Sequence, residues 1–265
     1  MKKVLFLLLL IVWFQEGKSQ GDFDNAVKTY YAGQLNTAIG LFTKCIDNKE
    51  NTARSYMYRG AAKAFLGNLD DAFKDLQTSF QLDTANDKIY YYMGKAYLLN
   101  KQYDRATDYF KKSIQVKSDD PDRYDGLATA EMGSVNYKSA IEAETRAIQL
   151  DSTQGDFFVN LGFAELKLGY FKKAIEDLTK ALSLEKSDKA YFDRAVAYSQ
   201  LKKYSNAMED FNASLSMNPG NAEAIYYRGL TLEYMNRKVE ACRDFKRSLE
   251  LGFTEAAQSI KVYCK

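Results

Sequence analysis

No histidine occurs anywhere in the 265 residues. That absence removes the commonest general base, the Ser-His and Cys-His nucleophile pairs, and the commonest metal ligand together. No nucleophile with a base and no metal constellation stands out among the remaining residues, so neither catalysis nor a cofactor is expected. A basic excess is also missing, because 37 lysines and arginines face 35 aspartates and glutamates. Nucleic-acid binding draws its affinity from phosphate neutralisation and leaves a basic footprint, so no nucleic-acid partner is expected.

Long apolar runs are scarce as well. The N-terminal run from Val4 to Phe14 has eleven residues, fewer than the roughly 17 to 25 that a membrane-spanning helix needs. It follows Lys2 and Lys3 and leads into Gly17 and Ser19, which occupy the −3 and −1 places for cleavage after Ser19. Residues 1–19 therefore read as a secretory signal peptide. No cysteine follows the run, so a lipid-modified N-terminus is not indicated. Without residues 1–19, which hold Lys2, Lys3, Lys18 and Glu16, the charges become 34 and 34 and the chain is formally neutral. The expectation is a periplasmic or secreted protein with no membrane span in the mature chain.

What the sequence does contain is one sentence written seven times. GQLNTAIGLF, GNLDDAFKDL, KQYDRATDYF, VNYKSAIEAE, GYFKKAIEDL, KKYSNAMEDF and NRKVEACRDF align on Ala38, Ala72, Ala106, Ala140, Ala174, Ala207 and Ala241, spaced by 34 residues with a single 33. Twelve positions earlier stand Ala26, Gly60, Gly94, Ala128, Gly162, Ala195 and Gly229. Small residues at two fixed points are what close helix packing requires. Four positions after the alanine come Phe42, Leu76, Phe110, Leu178, Phe211 and Phe245, on the alanine's own helix face. Each period holds two helices; in the third they are predicted over 89–99 and 103–116. Gly33, Gly67 and Gly169 stand where the first helix stops, and glycine accepts the left-handed conformation that ends helices. Asp120 before Pro121 reads as an N-cap followed by proline at the first helical position.

With MGKAY, LGFAE and RAVAY in the first helices, AFKDL, ATDYF and AMEDF in the second, and Pro219 closing one repeat, the chain resembles the tetratricopeptide-repeat (TPR) family over residues 20–252. Proline closes only that repeat, the first helix of the first repeat matches poorly, and the sixth starts one residue early. The resemblance implies an all-α, right-handed α-solenoid of about seven repeats. Their boundaries are 20–52, 53–86, 87–120, 121–154, 155–187, 188–221 and 222–253, with a capping helix over 254–265. It also implies a protein-binding scaffold whose first helices line a concave groove for a peptide or protein segment. The process read from this is assembly of a bacterial cell-envelope complex. Two alternatives are an accessory or substrate-recruiting subunit of a peptide- or cell-wall-processing enzyme, and a self-assembling structural protein.

Within that frame the groove candidates are Arg54, Tyr58, Lys88, Tyr91, Tyr92 and Lys95 toward the N-terminal end, where base and aromatic mix. Acidic Asp122, Asp125, Asp156 and Asp193, with Asn160, follow, and Tyr226 and Tyr227 lie in the last repeat. Some TPR proteins hold a chaperone's terminal carboxylate through a Lys-Asn-Asn-Lys-Arg clamp. The corresponding positions are Asp125, Thr129, Asn160, Lys189 and Asp193, which match at two of five and reverse a charge, so that ligand is not implied.

The acids of the second helices, including Asp70, Asp71, Asp75, Asp210 and Asp244, read as solvated surface charges. Several precede a base by three or four residues, as Asp244 precedes Arg247; such pairs contribute about 0.2–0.5 kcal/mol each. Glu144 is an outlier in the large apolar column, and Glu131 and Glu165 replace the tyrosine seen as Tyr97 and Tyr198. Cys45 stands in a column of serine and alanine and reads as a buried thiol. If a capping helix folds back after Gly252, Cys242 comes opposite Cys264 and the two can form a disulfide in an oxidising compartment.

Overall fold

The computed structural model describes residues 21–264. The signal-peptide reading of residues 1–19 falls outside them. Among the described residues every regular element is a helix, and none is long and apolar enough to cross a membrane. The chain divides into two compact units at residues 134 and 135. The first holds α1 (21–31), α2 (Leu35–Asp47), α3 (Thr52–Phe65), α4 (Leu69–Leu82), α5 (Ile89–Leu99), α6 (Tyr103–Val116) and α7 (Pro121–Gly133). The second holds α8 (Tyr137–Leu150), α9 (Gly155–Lys167), α10 (Phe171–Leu184), α11 (Asp188–Gln200), α12 (Tyr204–Met217), α13 (Ala222–Tyr234), α14 (Lys238–Glu250) and α15 (Ala256–Tyr263). Both are stacks of helical hairpins, the α-solenoid class that the 34-residue period implies.

The packing columns are literal. All seven central alanines are fully buried, as are Ala26, Ala128 and Ala195 twelve positions earlier. Where that earlier position is glycine, its partner lies sixteen residues on in the facing helix. A Cβ on Gly60 would come within 2.9 Å of Leu76 Cγ, one on Gly162 within 2.6 Å of Leu178 Cγ, and one on Gly229 within 2.8 Å of Phe245 Cε1. The first helix of the first repeat, poorly matched in sequence, is nonetheless helical through 21–31 and buries Phe23 against Phe42 and Tyr58.

Each first helix ends in a left-handed residue, and these residues keep the period: Gly33, Gly67, Lys101, Val135, Gly169, Lys202 and Asn236 all have φ between 56° and 83°. Around Gly67 the amide of Asn68 donates to the Lys63 carbonyl at 2.9 Å and that of Gly67 to Ala64 at 3.0 Å, a Schellman closure. Non-glycine residues at four of these seven positions escaped a reading keyed to glycine. Between repeats, Asp120 caps α7 with Pro121 in the first turn, and Ser187 and Asn221 cap α11 and α13.

The second-helix aspartates require a correction. Asp75, Asp210 and Asp244 are buried, and each accepts two hydrogen bonds from an arginine sixteen residues earlier: Arg59, Arg194 and Arg228, at 2.7–2.8 Å. The arginine's third nitrogen reaches the preceding repeat, donating to Thr43, Thr179 or Asn212. Hydrogen bonding to the carboxylate holds the Arg59 and Arg194 guanidinium groups above their ordinary range. Asp244 therefore pairs across helices, while Arg247 pairs with Glu250. Asp70 and Asp71 are exposed as expected, Asp71 pairing with Lys74.

In the fifth repeat the aspartate of this ladder, Asp177, remains, but Leu161 stands where the arginine would be and Glu165 where Lys63 pairs with Asp75. Burial first, and then a hydrogen bond with Asp177, pushes the Glu165 carboxyl up to about 8; Lys173 opposes the shift and Glu176 adds to it. Asp177 is raised too, chiefly by burial. Two carboxyls at one site cannot both ionise cheaply, so they share a proton. Glu131 is instead paired with Lys111 at 3.3 Å, and Glu144 is fully buried on α8.

The C-terminal segment forms α15 over the last repeat. Cys242 and Cys264 are joined in a disulfide with their Cα atoms 5.5 Å apart, Tyr263 packs on Phe245, and Cys45 is a buried free thiol.

Two predictions follow from these turns and pairs. Val135 is β-branched, 67% exposed and at φ 63°; Val135→Gly relieves a left-handed strain of about 1–2 kcal/mol at some cost in unfolded-state entropy. It should raise stability by about 1 kcal/mol in urea unfolding. Between the ordinary glutamate value and about 8 the folded chain holds a proton at Glu165 that the unfolded chain has released. The stability that this proton contributes should therefore be fully present below the ordinary glutamate value and be lost as pH rises through about 8. Glu165→Gln should flatten that fall in urea midpoints taken from pH 5 to pH 9.

Candidate functional site

Once the columns above are assigned to packing, the side chains left to face outward from the first helices carry the distinctive chemistry. In the first unit they line a cavity of about 410 Å³ that includes Tyr31, Phe65, Tyr91, Tyr92, Lys95 and Asp122. Its floor and walls are joined by a network of tyrosine rings. Tyr30, Tyr31, Tyr58, Tyr91 and Tyr92 contact one another with centroids 5.3–6.4 Å apart, mostly edge to face, the arrangement aromatic quadrupoles favour. The Tyr31 and Tyr92 hydroxyls lie 3.4 Å apart. Lys95 donates to the Tyr91 hydroxyl at 3.3 Å, and its ammonium sits about 5 Å from the ring centres of Phe65 and Tyr91. Burial raises the Tyr30, Tyr91 and Tyr92 phenols and lowers the Lys95 ammonium. The phenols stay neutral at physiological pH and present O–H groups.

The named tyrosines divide by role. Tyr58 is only 2% exposed and stacks on Phe42 at 5.5 Å, so it belongs to the core, and Tyr92 is a buried floor residue. Tyr91 and Lys95 are half-buried in the cavity wall; Arg54, Lys88 and Asp122 are exposed, and Asp125 is half-buried. Arg54 lies over the Phe23 ring. Tyr31, 64% exposed, was missed because it belongs to the poorly matched first repeat, although it shares the column of Phe65.

In the second unit the equivalent face lines a cavity of about 370 Å³ that includes Phe163, Lys167, Lys189, Phe192, Asp193 and Tyr227. Asp193 occupies the position that is tyrosine at 58, 92 and 227. Tyr226 points elsewhere: it packs on Phe253 at 5.0 Å and its hydroxyl lies 3.2 Å from Ser259 Oγ, beneath the C-terminal cap. Asp156 is exposed and Asn160 half-buried. Lysine and carboxylate share both cavities, so a division into a basic end and an acidic end does not describe either. Among the described residues no group of three or more Cys, Asp and Glu side chains is placed to hold a metal ion.

A stack of helical hairpins with two side-chain-lined hollows defines an all-α repeat protein that offers surfaces. Residues 87–120, 155–188 and 189–221 match the family described as tetratricopeptide repeat. Those three stretches are tetratricopeptide repeats, and the fold is an all-α solenoid of such repeats, that of a protein-interaction scaffold. Over 62 residues, 23% of this chain, it is 36% identical to sperm-associated antigen 1 of Mus musculus; it spans about 7% of the length of the curated relatives it matches. A tetratricopeptide repeat protein from Parabacteroides merdae superposes with a TM-score of 0.66, covering 93% of this chain and 99% of the other at 15% identity. YrrB, described as a TPR protein with an unusual peptide-binding site, superposes with a TM-score of 0.58, covering 71% and 97% at 20% identity. At these identities the likeness is one of fold.

Proposed function

We propose that this is a non-enzymatic, extracytoplasmic bacterial adaptor that holds an extended segment of a partner protein and assists assembly of a cell-envelope complex. The observation that carries the binding reading is the tyrosine cradle of the first unit. Tyr31 and Tyr91 present large rings at low entropy cost, above a floor of rings that holds them in place. Lys95 and Asp122 at the same hollow supply one charge of each sign to set register. The peptide-binding description of YrrB agrees with this use of the fold. The extracytoplasmic setting is supported by the N-terminal pattern of residues 1–19 and by the Cys242–Cys264 bond, since such bonds persist in oxidising compartments.

A photo-crosslinking amino acid placed at position 31 in the producing cell should yield an adduct with a discrete protein. The same group at Asp70, exposed on α4, should not. Tyr31→Ala should weaken capture of that protein about tenfold with an unchanged melting curve. Equal adducts at both positions, or none at position 31, would sink the binding site. For the setting, thiols trapped in intact cells should show Cys242 and Cys264 blocked to alkylation before reduction and free after it. Reduction of this 22-residue loop should cost about 3 kcal/mol of stability.

A further inference from the structure

We infer that the hollow of the second unit is a binding site for a cationic side chain, lysine or arginine, carried by a partner protein, with Asp193 as its counter-ion. The inference rests on the protein-binding reading only for the source of the cation.

Asp193 lies on α11 and is 2% exposed, yet its Oδ2 is buried without a hydrogen-bond partner. The other buried aspartates of the chain show what a resident partner looks like: Asp75, Asp210 and Asp244 each hold a bidentate arginine. Asp193 has none. The two nearest bases, Lys189 one turn earlier on α11 and Lys167 on α9, act on it only through space. Both are turned to the Phe163 ring instead, with their ammonium groups 5.2 and 5.0 Å from its centre. Glu223, from α13, also faces Asp193 and adds to the negative potential. Burial chiefly, and Glu223 in addition, push the Asp193 carboxyl up to about 7, against the pull of Lys189 and Lys167. A buried carboxylate in this state gains from any cation that reaches it.

The cavity selects the form of that cation. Its charged lining consists of Asp188, Asp193 and Glu223 against Lys167 and Lys189, one negative charge in excess once Asp193 is ionised. The apolar walls, Phe192, Val196 and Tyr227, suit the methylene stem of a long basic side chain whose head goes to the carboxylate. At about 370 Å³ the hollow falls within the roughly 300–1,000 Å³ range of ligand pockets. At the position of Asp193, repeats two, three and seven carry a tyrosine. Both units keep a hollow on this face, and what Asp193 changes is the chemistry, a group that can carry a charge where the first unit has the neutral Tyr92 ring.

The test uses the full chain and three peptides: acetyl-Gly-Arg-Gly-amide, its citrulline analogue as the uncharged near-isostere, and its glutamate analogue. Chemical-shift titration should show saturable binding of the arginine peptide, with shifts at Phe192, Val196 and Tyr227. The citrulline peptide should bind at least tenfold more weakly. Asp193→Asn should lose at least tenfold in affinity for the arginine peptide with no loss of thermal stability, because it keeps the volume and removes a buried charge. Affinity should rise from pH 6 to pH 8 as Asp193 ionises, and the bound peptide should lower the midpoint of its 13Cγ titration. No saturable binding, equal binding of the citrulline peptide, or an unaffected Asp193→Asn variant would overturn the site. Preference for the glutamate peptide would also overturn it, by placing an anion on Lys167 and Lys189. The two readings fail separately: a position-31 adduct without arginine binding leaves the first cradle standing, and arginine binding without the adduct leaves this one.

Discussion

Everything in this chain depends on how closely two helices of a repeat can approach. The contact is a glycine or alanine on the first helix meeting a large apolar side chain sixteen residues later on the second, as Gly60 meets Leu76 and Gly229 meets Phe245. The distance is short enough that an added methyl on the glycine must displace its partner. Large side chains buried in this way are worth about 1.5–3 kcal/mol each. Because the contact recurs in repeat after repeat, it fixes the helix lengths and the left-handed turn between them. The same sixteen-residue offset joins Arg59 to Asp75, Arg194 to Asp210 and Arg228 to Asp244. One geometry thus sets both the apolar and the ionic contacts of a hairpin.

What the sequence revealed and what it hid follow from that geometry. Central alanines at a 34-residue spacing were visible because a packing contact admits few residue types, and the helix ranges 89–99 and 103–116 emerged from the same register. The end of the first helix was legible only where glycine marks it. At Lys101, Val135, Lys202 and Asn236 the fold imposes a left-handed backbone that the residue type does not announce. The buried aspartates were hidden for a different reason. An aspartate on an amphipathic helix reads as solvent-facing when only its own helix is considered, and its arginine stands on another. The offset was in the sequence as a recurring Arg and Asp sixteen apart, but only pairwise comparison of columns exposes it.

The same limit explains the tyrosines. Tyr58, Tyr91 and Tyr92 all stand on first helices, and period alone does not say which ring turns inward. Packing does: Tyr58 is sandwiched by Phe42 and the neighbouring tyrosines, whereas Tyr91 is left at the wall and Tyr31, from the least regular repeat, at the rim. The surface that can bind is therefore set by residues that the repeat pattern does not constrain. Repeat folds divide labour in this way, with stability in the invariant columns and specificity in what remains.

Carboxylates that break the ladder separate into two kinds, and the separation is physical. Asp177 has lost its arginine to Leu161 and faces Glu165 inside the helix packing, so the pair satisfies itself by holding a proton. Asp193 stands alone at the wall of a hollow, where a partner can arrive from outside. Both depart from the rule that buried charges are paired, and local departures from a consistent design are where function is expected. For Asp177 the departure has a cost that appears as pH-dependent stability and needs no ligand. For Asp193 the desolvation cost is offset only in part, through space, by two lysines whose ammonium groups rest on Phe163. A cation from a partner would supply the direct pairing that Asp193 lacks, so the proposed site of the second unit turns on one carboxylate where the cradle of the first combines aromatic rings with one charge of each sign.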